Sequence, residues 1–207
     1  MSEPALNEDI LRAAAEVLAE NGWQELTLER VAHTAGLSRV TLYRRGVTKE
    51  NLVAALADRA AHRWQAAMWP ALTGPGSGAE RLCAALHACC AALELHLPLV
   101  AALGSSPQPG VGPGTHPGLE DLTPIGGQMS AATTEVYVAP FERLLRDGDA
   151  DTTLAEQPDP AAAAVLLFSI VPGTYLRLRT VHGWEPDRAT ALLKDLVLRG
   201  LLPRNGR

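Results

Sequence analysis

A short run of basic side chains at residues 38–49 carries the clearest chemistry in this 207-residue chain. It contains Arg39, Arg44, Arg45 and Lys49 and no acidic residue, whereas the whole chain has a formal net charge of −5. A local positive patch lets an acidic protein grip phosphates at one place without coating nucleic acid with its whole surface. The segment therefore predicts a local nucleic-acid contact.

The side chains of this segment fit both the base edges and the backbone of a DNA duplex. Arginine can form a fork of hydrogen bonds to guanine, and threonine or valine can contact a thymine methyl group. Tyr43 and Lys49 suit phosphate contacts, although a partly buried structural role remains an alternative for Tyr43. The first N–H groups of a helix beginning at Thr48 suit another phosphate. The predicted DNA contacts are Thr27, Ser38, Arg39, Val40, Thr41, Tyr43, Arg44, Arg45, Thr48 and Lys49.

Helical patterns are expected to position these residues. Apolar residues recur at helical spacing over residues 8–21. Thr27 and Ser38 are suitable N-caps for two further short helices, and Gly36 between them suits a tight turn. Two short helices joined by a glycine-containing turn predict a helix-turn-helix, whose second helix enters a major groove. The alternative is a charged surface loop between ordinary helices.

The order of residues through this region resembles the tetracycline-repressor-like (TetR) family. The resemblance rests on Leu26–Ala32, Ala35–Ser38, Thr41–Tyr43 and Lys49–Leu52, and it covers about the first third of the chain. The sequence departs from it at Arg45-Gly46, where many members carry an aromatic pair. The resemblance implies an all-α homodimer, usually a repressor, that a small ligand in the C-terminal domain releases from a palindromic operator.

The rest of the chain is also helical in composition, so the sequence predicts an all-α fold. Pro70 should help to stop its helix, and Pro140 should kink or divide its helix. Pro172 should interrupt its helix with a kink. The predicted domains are residues 1–47, a three-helix helix-turn-helix domain, and residues 48–207, a larger ligand-binding and dimerisation domain that begins with a joining helix at 48–70. Further helices are expected over 79–97, 119–146, 160–181 and 186–200, with a loop at 104–117.

A pocket in the C-terminal domain is expected between facing apolar helices. Its candidate residues are polarisable, aromatic or bulky, although each could equally be a plain core residue. They are Trp64, Met68, His87, Cys90, Met129, Tyr137, Phe168 and Tyr175.

A metal- or thiol-sensing site is the alternative, because Cys83, His87, Cys90 and Glu94 share one helical face. Cys83 and Cys90 lie about 10 Å apart along a helix at ~1.5 Å per residue, too far for one zinc ion. Small cysteines that fill a core are therefore favoured, and no metal site and no cofactor are expected.

The last two helices are expected to join two copies of the chain, because each is apolar on more than one side. Packed against their symmetry mates they would form a four-helix bundle. Burial of all these faces within one subunit is the alternative. The predicted interface residues are Val165, Phe168, Leu176, Leu192, Leu193 and Leu196.

Composition and motifs limit the remaining classes of function. The chain has no phosphate loop, nucleophile elbow or HExxH motif, so we expect no enzyme, although one built on a helical scaffold remains a less favoured alternative. Three cysteines form no even disulfide framework, and no segment reads as a signal peptide or a membrane span. We therefore expect a cytoplasmic protein without a membrane partner.

Overall fold

The computed structural model describes residues 6–98 and 134–201, and every regular element within these ranges is helical. The helices are α1 (Glu8–Glu25), α2 (Leu28–Thr34), α3 (Arg39–Arg44), α4 (Lys49–Thr73), α5 (Gly78–Leu95), α6 (Ala139–Ala150), α7 (Pro160–Thr180) and α8 (Pro186–Leu201). A π-helical turn, Thr134–Val138, precedes α6. The predicted loop at 104–117 and the first part of the predicted helix at 119–146 lie outside the described residues.

The chain forms two compact units, and α4 contributes residues to both. Among the described residues, the first unit contains 6–60 and 96–98, and the second contains 61–95 and 134–201. The core of the first unit is built from one face of each of its helices, including Ile10 and Ala14 of α1, Val31 of α2 and Leu42 of α3, all with no exposed surface. This core holds the two short helices in place, since neither is long enough to be stable alone.

In the second unit, α5 packs against α6, α7 and α8. Its core includes Leu82 and Leu86 of α5, Phe141 and Leu144 of α6, and Leu193 of α8. The N-terminus of α5 is joined to the end of α6 by polar contacts as well. The unit is therefore a bundle with α5 at its centre.

Two prolines behave differently from the sequence prediction. Pro70 does not stop α4, which continues to Thr73, and Pro172 does not interrupt α7. Each proline removes one backbone hydrogen bond. Burial offsets that loss, because Ala71 beside Pro70 and Pro172 itself lie in the core. Pro140 lies in the first turn of α6, directly after the π-helical turn, so the helix changes type beside it and continues.

One helix bears on the expectation that no segment reads as a membrane span. Helix α7 is long and apolar enough to cross a membrane by length and composition alone, with a mean hydropathy of 1.6 over its most apolar stretch. A single such helix is weak evidence of a membrane segment, because core helices pass the same test. Only 22% of that stretch is buried within one chain, however.

Candidate nucleic-acid interface

Helix α3 is fixed at both ends and along its inner side. The Ser38 Oγ accepts a hydrogen bond from the Thr41 backbone N–H at 3.1 Å and lies 2.8 Å from the Thr41 hydroxyl. Leu42 is fully buried and anchors the helix to the core of the first unit. Gly46 ends the helix at a φ of 69°, a conformation that glycine adopts at no steric cost. A six-residue helix thus gains its rigidity from its surroundings.

The preceding helix and turn use the predicted capping residues. The Thr27 Oγ1 accepts a hydrogen bond from the Arg30 N–H at 3.3 Å and begins α2. Gly36 has a φ of 67°, and the following Leu37 N–H donates to the Ala32 carbonyl at 2.8 Å. These bonds close the turn between α2 and α3. The structure thus places the Thr27 hydroxyl in a helix cap, and its contact with DNA stays a prediction.

The outer side of α3 presents Arg39, Val40, Tyr43 and Arg44, which we call the recognition face. All four side chains are exposed, including 65% of Val40, a large apolar residue that gains nothing from water. Arg39 Nη2 donates to the Tyr43 hydroxyl at 3.0 Å, and this bond raises the pKa of the Arg39 guanidinium. The face therefore combines two permanent charges with an apolar and an aromatic surface.

The start of α4 has a side-chain cap at Thr48, and sequence analysis missed its partner, Asn51. The Thr48 N–H donates to Asn51 Oδ1 at 2.8 Å, and the Asn51 N–H donates to Thr48 Oγ1 at 3.2 Å. Asn51 Nδ2 also donates to the Gly46 carbonyl at 3.1 Å. The spacing Thr-x-x-Asn resembles a capping box and could have revealed this role. The cap uses the Asn51 N–H, and the contact of this helix start with a phosphate stays a prediction.

Three of the residues predicted to line a pocket meet in one aromatic cluster. The ring centroids of Trp64 and Tyr137 lie 5.0 Å apart, and those of Tyr137 and Phe168 lie 5.4 Å apart in a stacked arrangement. Phe141, which was not predicted, lies 6.3 Å from Trp64. Phe141 lies four residues after Tyr137, and this spacing places two side chains on one helical face, so the sequence could have predicted its membership.

The other candidates for the pocket are distributed differently. Met68, Cys90 and Tyr175 are buried in the same core as the aromatic cluster. His87 is exposed on α5, so it does not line that core, and the prediction is corrected for this residue. A histidine on a buried helix faces solvent when its position falls on the outer side. Met129 lies outside the described residues.

A polar network that sequence analysis did not find joins α5 to α7. The Glu94 carboxylate accepts hydrogen bonds from the Tyr175 hydroxyl at 2.8 Å and from Arg179 Nη2 at 2.7 Å. Arg179 also donates to the Trp184 carbonyl, in the turn before α8. The hydrogen bond from Arg179 lowers the pKa of Glu94. The network holds the ends of three helices together.

Comparison with known proteins adds to this geometry. Residues 10–56, which contain the capped helices and the recognition face, match the family model of bacterial regulatory proteins of the tetR family. This N-terminal segment of the chain is therefore similar to the DNA-binding part of that family. The chain is a DNA-binding transcriptional regulator with an N-terminal helix-turn-helix and a helical C-terminal part. No curated protein matches the regulator in sequence.

Several solved structures share the fold of the regulator over nearly its whole length. The fatty acid degradation regulator FadR from Bacillus halodurans gives a TM-score of 0.71 at 16% identity, over 96% of each chain. A putative TetR-family regulator from Rhodococcus sp. gives 0.68 at 22% identity, over 98% of this chain and 100% of that chain. SmeT, the repressor of the Stenotrophomonas maltophilia multidrug efflux pump SmeDEF, gives 0.67 at 19% identity, over 98% and 94%.

The cysteines of the regulator are poorly placed for sensing. Burial raises the pKa of Cys89 to about 12 and that of Cys90 to about 11, which disfavours the reactive thiolate. Cys83 is half-buried and His87 is exposed, whereas Cys90 is buried, so these three predicted sensing side chains do not share one environment. Among the described residues, no three His, Cys, Asp or Glu side chains form a group that could hold a metal ion.

The predicted dimer residues divide into two groups. Val165, Leu192 and Leu196 are exposed, whereas Leu193 is 4% exposed and belongs to the core of its own unit. We therefore leave Leu193 out of the interface, because it cannot reach a second chain without unfolding its own. Phe168 and Leu176 are half-buried. Two exposed residues that were not predicted, Leu166 and Ile170, extend the apolar surface of α7.

Proposed function

We propose that the regulator is a repressor that binds a palindromic operator as a homodimer and leaves it when a small molecule binds the second unit. The observation that carries the proposal is the recognition face, held outward by a short helix that is capped at its start and buried along its inner side. A rigid, exposed helix of this size fits a major groove.

The chemistry of the recognition face supports base recognition. Arg44 is exposed at the end of α3, and its guanidinium can donate two parallel hydrogen bonds to guanine. Val40, also exposed, can contact a thymine methyl group. Lys49 lies in the first turn of α4, beyond α3, where an ammonium group suits a phosphate. Arg44 should therefore affect sequence preference, and Lys49 should affect affinity for every sequence.

Selection from a library of randomised palindromic DNA would test this division. Arg44→Ala should relax the preference at one position of each half-site, with a cost of about 1–3 kcal/mol, whereas Lys49→Ala should weaken all sites and lower the salt slope by about one. Arg199→Ala is a matched control, because this exposed arginine pairs with Asp195 on α8, far along the chain. If a variant in which Arg39, Arg44 and Lys49 are all replaced by alanine still bound the operator, the proposal would be contradicted.

The aromatic cluster is the place that we propose for the effector. Trp64, Tyr137 and Phe168 form an apolar wall, and Tyr137 lies on a π-helical turn, a local distortion that is frequent at functional sites. Such walls favour an apolar or aromatic compound, because small-molecule sites are mostly apolar with few polar groups.

A thermal-shift screen of apolar and aromatic compounds would test this site. We expect a compound that raises the melting temperature and lowers operator affinity in the same concentration range, since preferential binding to one state must shift both equilibria. Phe168→Leu keeps an apolar side chain at this predicted interface position but removes the stacked ring, so it should weaken both effects and leave operator binding without the compound intact. An effector that acts equally well on this variant would place the pocket elsewhere.

Helix α4 is the element that we propose to transmit the signal. It carries Lys49 in its first turn and Trp64 and Met68 in the core of the second unit, and its 25 residues extend about 37 Å at ~1.5 Å per residue. A rigid helix with a ligand contact near one end can change the spacing of two DNA-binding surfaces. Superimposable α4 helices in effector-bound and effector-free structures would contradict this mechanism.

The same proposal includes an assembly and a location. Two copies would meet through the exposed apolar surfaces of α7 and α8, so that two recognition faces read half-sites about 34–36 Å apart. Binding to the operator requires the compartment that contains DNA, which is the cytoplasm of a bacterium. We further propose that the regulator catalyses no reaction and needs no cofactor, since operator binding and effector release require neither.

A further inference from the structure

Two residues of the recognition face form a contact with each other that the proposed function does not use. Arg39 and Tyr43 lie one helical turn apart on α3, and both side chains are exposed. Arg39 Nη2 donates to the Tyr43 hydroxyl at 3.0 Å, and the guanidinium carbon lies 5.2 Å from the centre of the tyrosine ring. The guanidinium is thus held by a hydrogen bond and by a cation–π contact.

This pair matters because ordering an unpaired arginine side chain costs conformational entropy. A solvent-exposed arginine loses side-chain entropy when it forms a fork to a base. Holding the group in one direction beforehand lowers that cost. Arg39 has five N–H donors, of which the bond to Tyr43 uses one, so donors remain for a base edge.

The tyrosine side chain, with two χ angles, is stiffer than the long arginine side chain. Tyr43 follows the fully buried Leu42 in the sequence, which anchors the backbone at this position. Arg39 lies in the first turn of α3, directly after the Ser38 cap, and its long side chain reaches along the helix to the tyrosine. We therefore expect the tyrosine ring to set the orientation of the guanidinium, and not the reverse.

We propose that Tyr43 is a positioning residue that sets the direction of the Arg39 guanidinium, so that the two side chains read one base pair of the operator as a unit. The inference rests on the proposed DNA-binding function and assigns a specificity role to a tyrosine that sequence analysis expected on a phosphate. An independent phosphate contact from Tyr43 would instead weaken binding to every sequence alike.

A double-mutant cycle on the full-length regulator tests the pair. The variants are Arg39→Ala, Tyr43→Phe, Tyr43→Leu and Arg39→Ala combined with Tyr43→Phe. Each is measured by affinity for the selected operator and for versions changed at single base pairs. Arg39→Ala should identify the base pair that it reads. Tyr43→Phe keeps the ring and removes the hydroxyl, whereas Tyr43→Leu removes both.

We expect both tyrosine variants to lower discrimination at the base pair identified by Arg39→Ala. The loss should be about two- to fivefold for Tyr43→Phe, on the scale of one exposed polar or cation–π contact, and larger for Tyr43→Leu. In the Arg39→Ala background, Tyr43→Phe should change nothing further, because its effect acts through the arginine. Melting temperatures should stay unchanged, since Tyr43 is exposed.

Three outcomes of this cycle would overturn the inference. The inference is overturned if Tyr43→Phe keeps full discrimination at that base pair, or if it weakens all operators equally in both backgrounds. It is also overturned if Arg39→Ala affects no single base pair. A wild-type regulator that selects no DNA sequence at all would contradict the proposed function itself, which separates the two failures.

Discussion

Replacement of Gly78 by alanine should strongly destabilise the second unit. Gly78 is the first residue of α5, and a Cβ atom built on it would lie 2.2 Å from the Gly148 Cα and 2.3 Å from the Gly148 nitrogen. Carbon atoms in contact normally stay about 3.5–4.0 Å apart. The atoms in the way belong to the backbone of α6, which cannot rotate aside as a side chain can.

The cost can be worked out from the contacts at this point. Insertion of a methyl group into a packed site costs about 1–3 kcal/mol. Separation of α5 from α6 would also strain the bond from the Gly78 N–H to Asp151 Oδ2, which is 2.6 Å long. A hydrogen bond to a charged group contributes about 1.5–3 kcal/mol, so the total is about 2.5–6 kcal/mol. For a chain of this size, that corresponds to a loss of at least about 5 °C in melting temperature.

Thermal and urea denaturation of three alanine variants would measure this effect. Gly148→Ala should cost less than Gly78→Ala, because its new Cβ meets the flexible side chain of Leu154 at 2.4 Å. Gly200→Ala is the control, since nothing lies within 4 Å and alanine favours a helix by about 0.5–1 kcal/mol. If Gly78→Ala melted at the temperature of the wild type, the close approach of α5 and α6 would be incorrect.

Two further predictions concern assembly and pH. Leu196→Asp should give a folded monomer at micromolar concentration in sedimentation, with weaker operator binding, because the new charge would be buried against a second chain. The control is Ala191→Asp, at an exposed position about 140° around α8 from Leu196, which should leave the dimer intact. If the Leu196→Asp variant remained a dimer, the interface would lie elsewhere. Glu94→Gln should lower the melting temperature at neutral pH. Because Arg179 lowers the pKa of Glu94, this carboxylate stabilises the fold above its unfolded pKa of about 4.3, and the difference between wild type and variant should fade as the pH falls below that value. An equal difference at pH 3 and pH 7 would argue against the ion pair.

The helix-turn-helix could be predicted because its determinants are local. Thr27 and Ser38 cap helices that begin one residue later, and Gly36 and Gly46 adopt the positive φ angles that their positions require. Each of these interactions joins residues within about one helical turn, so a linear pattern contains it. The outward direction of Val40 also follows, because Leu42 must face the core.

The second unit was less predictable because its key contacts join residues far apart in the chain. Gly78 reads as part of a flexible glycine-rich loop, yet it begins α5 at the point of closest approach to α6. Glu94 binds Arg179 across 85 residues, and no local spacing indicates such a pair. Pro70 likewise looks like a helix terminator, but tertiary packing of its neighbours outweighs its local preference.

The burial of two of the three thiols has a practical consequence for studies of the regulator in solution. At neutral pH, Cys89 and Cys90 are enclosed and protonated, which leaves the half-buried Cys83 as the site for a thiol reagent in the folded chain. We therefore expect a thiol reagent to modify the folded chain at one cysteine. A spin label or fluorophore on Cys83 would report distances between the chains of an assembled regulator. Because unfolding exposes Cys89 and Cys90, the number of additional labels bound would measure the fraction of unfolded chains.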